Sequence, residues 1–271
     1  MFNVFVIALR EGVEVAVILA IIFSYLKQLG QLKEGKKVWL GTGAAVLISV
    51  LIAVGIFIVF GNIEIEGFQA ALEGSLKILA VIMLTWMTIW MKHQSSDLSG
   101  TLKEQIKLAL GSGSVWTLAL LAFISVIREG IETVLFIVST AKETGAAATI
   151  GGAIIGLGLA AVLGLILYRG THHLPLKAFF TSMSVLLIVI GAGLLSGGIH
   201  EFQEMHLIPE VVESVWNTHF FIDEQSTLGG LLKAVFGYRE SPNLVMVAAY
   251  CLYLIATFYA YFRKPTKQGV S

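Results

Sequence analysis

Residues 38–60 run for twenty-three positions without one ionisable side chain. A helix needs about 20 predominantly apolar residues to cross the hydrocarbon core of a bilayer. This stretch therefore demands a membrane or a very large core. Six more apolar runs follow or precede it: 2–26, 68–91, 115–141, 146–168, 174–199 and 244–262. A large soluble core does not supply seven such surroundings in a chain of 271 residues. Only 13% of the residues are charged and 56% are hydrophobic, where a soluble domain carries about a quarter charged. Large soluble enzymes, disordered chains and nucleic-acid binders are excluded. The single cysteine, Cys251, excludes a disulfide framework and a thiolate metal cluster.

The expected fold is all-α: a polytopic membrane protein with seven transmembrane helices in one domain spanning 1–271. No Pro-rich, Gln-rich or Ser-rich linker divides it. The first run is not read as a cleaved signal, because Arg10, Glu11 and Glu14 sit in its middle instead of a basic start. If seven helices alternate, Lys27, Lys33, Lys36, Lys37, Lys92, Lys103, Lys107, Arg169, Lys177, Arg263, Lys264 and Lys267 share one side. The opposite side holds only Lys142, Lys233 and Arg239. The positive-inside rule then puts the C-terminus in the cytoplasm and the N-terminus outside. Gly152 with Gly156, and Gly193 with Gly197, have the spacing that lets helices approach closely, read here as packing inside the chain.

One charged pattern occurs twice. Arg10-Glu11-Gly12-Val13-Glu14 lies inside the first run and Arg128-Glu129-Gly130-Ile131-Glu132 inside the fourth. The two fall in corresponding helices if residues 1–93 and 115–199 are repeats of three spans each, followed by an outer loop at 200–243 and a seventh helix at 244–262. Three spans per repeat make the repeats insert in opposite senses, the arrangement in which transporters bind cargo near the bilayer midplane. Residues three and four apart share a helix face. Glu11 therefore points with Glu14, beside Arg10, and Glu129 points with Glu132, beside Arg128. Gly12 and Gly130 remove a side chain next to the carboxylates and admit a second helix or an ion.

A charge at the centre of a membrane helix costs about 2.5–3.5 kcal/mol on insertion scales, so intramembrane ionisable residues are read as functional. Ion pairing alone accounts for one glutamate per arginine and leaves two negative charges over. A cation balances them. Carboxylate oxygens suit hard cations such as magnesium, calcium, manganese and oxidised iron. His93, His172, His173 and His200 sit at run ends, which disfavours copper, zinc and haem. Arg10 and Arg128 are the charge-balancing residues, and no cofactor is implied.

The doubled Arg-Glu-Gly-x-Glu pentad resembles the oxidase-dependent iron transporters, the family of fungal high-affinity iron permeases and bacterial EfeU-type permeases. The likeness includes Ile7-Ala8-Leu9-Arg10-Glu11-Gly12, Leu84-Thr85-Trp86-Met87 and Phe236-Gly237-Tyr238-Arg239-Glu240-Ser241-Pro242. It implies an iron permease of the plasma membrane, not an enzyme, with Glu11, Glu14, Glu129 and Glu132 as ligands. It also implies a separate extracytoplasmic oxidase or iron-delivery protein as partner. The residues by themselves leave other readings open: a carrier of another hard divalent cation such as manganese, a membrane di-iron oxidoreductase, or a scaffold held by ion pairs. The di-iron reading lacks its Glu-x-x-His motif, since no glutamate has a histidine three positions later.

Glu73 and Lys77, one turn apart, read either as a self-neutralised pair or as a vestibule carboxylate with its neighbour, with Glu66 two turns further out. In the outer loop, Glu201 with Glu204 and Glu210 with Glu213 repeat the three-residue spacing, and Asp223 and Glu224 follow. They read as a solvated acidic loop or as an antechamber for cations, Glu201 and Glu204 being nearest the membrane. Tryptophans at run ends read as interfacial anchors. The formal net charge of zero thus hides a gradient: acidic outside, negative at mid-depth, basic inside.

Overall fold

The computed structural model describes residues 1–61, 66–94, 98–111, 116–169, 176–212, 214–224 and 226–263. Glu213, His172, His173 and the tail beyond Arg263 lie outside the described residues, as do the side chains of Glu64, Glu66, His93, Lys142 and Glu143. Each of the seven apolar runs holds a long helix: α1 (Phe2–Gln28), α2 (Gly35–Gly61), α3 (Glu66–Gln94), and, after the short α4 (Leu98–Gly111), α5 (Thr117–Thr144), α6 (Ala146–Arg169) and α7 (Leu176–Glu204). A second short helix, α8 (Thr227–Phe236), precedes α9 (Leu244–Phe262).

Among the described residues, five segments are long and apolar enough to cross a membrane: Leu32–Ile58, Ala70–Lys92, Ala147–Arg169, Lys177–Glu204 and Leu244–Phe262. The remaining long helices, α1 and α5, have 27 and 28 residues. They have the length, but each carries a pentad with three charges. Along α2 and α6 the apolar side chains Leu47, Leu51, Ile154 and Leu165 face outward. Water does not tolerate such continuous apolar faces, and lipid does. The protein is a multi-pass membrane protein.

Small residues set three seams. Along α1 and α6, a methyl group at Gly152 would lie 2.6 Å from Met1 O, at Gly12 2.7 Å from Ala160 Cβ, and at Gly164 2.7 Å from Ala16 Cβ. The register rises together, so α1 and α6 run parallel, with Gly152 and Gly156 spent on contacts inside the chain. Gly41 abuts Ala119 and Gly130 abuts Ser49, so α2 and α5 also run parallel. Gly74 meets Glu201 and Phe202 while Gly198 meets Lys77 and Ile78, so α3 and α7 are antiparallel. Thr85 Oγ1 lies 2.8 Å from Tyr253 Oη, and Lys92 Nζ donates to Tyr261 O. These two contacts set α3 parallel to α9.

The two short helices close opposite ends. α4 buries Leu102, Ile106 and Ala109 with Ile22, Leu26, Val38, Leu118 and Ala122. At the other end α8 starts on Ser226, whose side chain accepts from Gly229 N, and stops at Gly237 with φ 65°. Only glycine adopts that conformation cheaply, and the Cα of Gly237 packs directly on Gly193 of α7. Asn243 caps α9 and donates from Nδ2 to Gln203 Oε1 at 2.6 Å. The loop is thereby tied to the end of α7.

Candidate metal centre

Glu11 and Glu14 on α1 meet Glu129 on α5, with one carboxylate oxygen of each within 4.8 Å of the others. The glycine seams cause this. Gly12 seats α1 on α6 and Gly130 seats α5 on α2, so in each pentad the bare side is given to another helix and the carboxylates turn to the interior. The three glutamates are 1%, 5% and 5% exposed. Arg10 Nη1 is 2.6 Å from Glu11 Oε1 and its Nη2 is 3.0 Å from Glu14 Oε1. Glu11 Oε2 and Glu129 Oε2 are buried with no hydrogen-bond partner among the described residues. A carboxylate oxygen left so is costly, and a cation or a proton shared between the two carboxyl groups remedies it.

The arginines differ in their surroundings. Arg10 is sealed, with 3% of its side chain exposed, and points Nη1 and Nη2 at Met87 Sδ and Met91 Sδ, 3.6 and 3.5 Å away. Arg128 is 40% exposed, its Nε 3.3 Å from Glu132 Oε1 and 3.9 Å from Glu129 Oε1, with Cζ 4.4 Å from the centre of the Trp90 ring. Glu132, 7% exposed, does not join the cluster of three and is held by Arg128. Sequence reasoning brings four carboxylates to one point; the structure brings together three and pairs the fourth.

It also missed the cover of the site. Met87, Trp90 and Met91 form one face of α3 by their i, i+3, i+4 spacing, and that spacing was the available signal. A cavity of about 840 Å³ adjoins the carboxylates. It is walled by α1, α2, α5 and α6 and reaches from Glu11 and Glu129 past Val15, Leu19 and Val126 to Phe23, Trp39 and Tyr168.

The other acidic candidates lie elsewhere. Lys77, 2% exposed, donates to Glu201 Oε1 at 2.8 Å across the α3–α7 seam. The lysine therefore serves more than a local link to Glu73, which stands one turn before it, half-buried. Glu204 pairs instead with His200, 3.1 Å away and one turn earlier at the C-terminal end of α7. Glu73, Glu201 and Glu204 are thus not part of the central cluster, and Glu210 is exposed on the loop.

The iron permease FTR1 family matches residues 1–264 of the chain. The ferrous iron permease EfeU of Shigella sonnei is 34% identical over 274 residues, covering 100% of this chain and 98% of that one. The ferrous iron permease EfeU of Yersinia pestis is 35% identical over 269 residues, covering 98% and 94%. A relative from Escherichia coli K12, also 34% identical, carries the word "inactive" in its name. No solved structure matches the chain. Its relatives are named as permeases, which are transporters and not enzymes. With the match running nearly end to end, the chain belongs to the FTR1 iron permease family.

Proposed function

We propose that this protein imports iron across the plasma membrane, with Glu11, Glu14 and Glu129 as ligands of the passing ion near mid-depth. The observation that carries this reading is the cluster of three buried carboxylates with unsatisfied oxygens. Three carboxylates against the one sealed guanidinium leave two negative charges, which a divalent cation balances. That arithmetic favours ferrous iron, in keeping with the names of the relatives. Carboxylate oxygens replace part of the ion's water shell, and the charge of Arg10 offsets part of theirs and limits how tightly they hold the ion. Glu132 is the fourth ligand, its charge balanced by Arg128.

Directions along the seams support seven alternating spans. Parallel α1 with α6, parallel α2 with α5, antiparallel α3 with α7 and parallel α3 with α9 are the relations that alternation requires. The α1–α6 and α2–α5 seams exchange when the halves are exchanged, which supports an inverted repeat with the pentads on its pseudo-axis. The excess of lysine and arginine on one side supports an outside N-terminus and a cytoplasmic C-terminus. A separate extracytoplasmic protein delivers or oxidises the iron.

Manganese is the competing cargo on donor chemistry alone. Uptake of iron-55 into vesicles containing the protein tests the reading, with ferrous and ferric iron compared and unlabelled manganese or magnesium in excess. Ferrous uptake that survives those competitors is expected. Uptake abolished by manganese transfers the assignment to that ion.

A further inference from the structure

Outside the bundle a second donor set converges, where the loop before α8 meets the segment after it. His219 Nδ1 lies 2.9 Å from Glu240 Oε2, and an oxygen of Asp223 joins them with all three donor atoms within 4.8 Å of one another. This is a mixed set, one imidazole nitrogen with two carboxylates. Imidazole suits iron, zinc and copper, while carboxylates alone suit calcium and magnesium. The spacing also fits an ion. Two donors at right angles on a first-row metal, with bonds of about 2.1 Å, stand about 3 Å apart.

The ligands are braced before any ion arrives. Glu240 Oε2 accepts from Glu224 N–H at 3.2 Å. Tyr238 Oη donates to Ile222 O at 2.9 Å, and Thr218 N donates to Glu240 O at 2.9 Å. Residues 218–224 are thus stitched to 238–240 from both sides, the kind of support that holds metal ligands in place. Lys233 is engaged by Glu224 at 2.5 Å. His219 is 64% exposed on its side chain, which leaves coordination positions open to water and to exchange. The segment overlies the start of α1, since Asn3 shares a small cavity with Lys233, Gly237 and Arg239. From Asn3 to Glu11 is two turns of helix, about 12 Å.

We propose that His219, Asp223 and Glu240 form a second, exchangeable metal site that takes a ferrous ion at the mouth of the bundle, above the start of α1. The choice of iron as its ion rests on the proposed function; the donor set does not.

The test is binding of ferrous iron-55 to the purified full-length protein under anaerobic conditions, by equilibrium dialysis. Wild type is expected to hold two ions per chain. His219→Ala and Asp223→Asn, both at exposed positions, are expected to hold one, with the outer affinity at least about tenfold weaker. Uptake by both variants should fall at limiting iron and keep its saturated rate. Glu129→Gln separates the two sites: its remaining ion should still be lost on adding His219→Ala. Unchanged stoichiometry and affinity in His219→Ala, or unchanged uptake at limiting iron, overturns the outer site. If instead Glu129→Gln transports normally while the histidine-dependent ion persists, the central reading fails and this one stands.

Discussion

Arg10 and Arg128 occupy the same place in two copies of one pentad, yet 3% of one side chain is exposed and 40% of the other. Arg10 is enclosed by Glu11, Glu14, Met87 and Met91. Arg128 lies across the face of Trp90 with one edge open. The same Arg-Glu-Gly-x-Glu pattern therefore gives two surroundings: a sealed guanidinium against the cluster on α1 and a half-open one on α5.

The consequence for stability is direct. Arg10→Ala leaves buried carboxylates without their cation, and breaking such a pair costs about 3–5 kcal/mol. Arg128→Ala loses a longer, half-open pair to Glu132 at 3.3 Å and a cation–π contact of about 0.5–1 kcal/mol. Thermal unfolding in detergent should show a large drop for the first and a small one for the second. Equal losses would contradict the asymmetry.

The glycine of the second pentad should show suppression by its neighbour. A methyl group at Gly130 collides with Ser49 Oγ and Cβ, an overpacking of about 1–3 kcal/mol. Gly130→Ala is expected to lower the yield of folded protein in the membrane, and Ser49→Gly added to it should restore the yield. No restoration would mean that the α2–α5 seam is not set by this contact.

Lys77 and Glu201 tie α3 to α7 at 2.8 Å. A double-mutant cycle with Lys77→Met and Glu201→Gln should give a coupling of about 0.5–3 kcal/mol in unfolding free energy. Additive losses would place the two residues in separate interactions.

In the segments flanking α8, the hydrogen bond and charge of Glu240, helped by Asp223, raise His219 above its ordinary 6.5. The hydrogen bond from His219, with one from the Glu224 backbone, lowers Glu240 below 4.5. The histidine's share of the pairing is complete below about pH 6.5 and is lost as pH rises through its raised value. The glutamate's share is present above about pH 4.5 and is lost as pH falls through its lowered value. NMR titration of the metal-free protein should give His219 a midpoint above 6.5 that moves back toward 6.5 in Glu240→Gln. A midpoint unchanged by that substitution would separate the two side chains.

Most of the helical framework was legible in the sequence, because apolar run length reports bilayer thickness directly. The run 244–262 coincides with α9, and the others end within a few residues of their helices. α4 was not legible: its apolar positions Leu102, Ile106 and Ala109 are spaced for one face of a short helix between lysines, and the end of α1 with the starts of α2 and α5 gives that face its partners. Of the site, the pentads were legible because charge at mid-span is costly. The separation of Glu132 from the other three was not, since periodicity fixes which face a side chain takes but not the rotation of α5 against α1. Nor was the His219–Glu240 pairing, which joins residues twenty-one apart through a loop.

Initial rates of ferrous iron-55 uptake into vesicles, normalised to folded protein, test the central claim most directly when Glu129→Gln is compared with Glu210→Gln. Glu129 is a buried member of the cluster and Glu210 an exposed loop residue of the same chemistry. The account predicts uptake reduced at least about a hundredfold, the equivalent of 2.7 kcal/mol, in the first and near wild type in the second. Wild-type uptake by Glu129→Gln would contradict it.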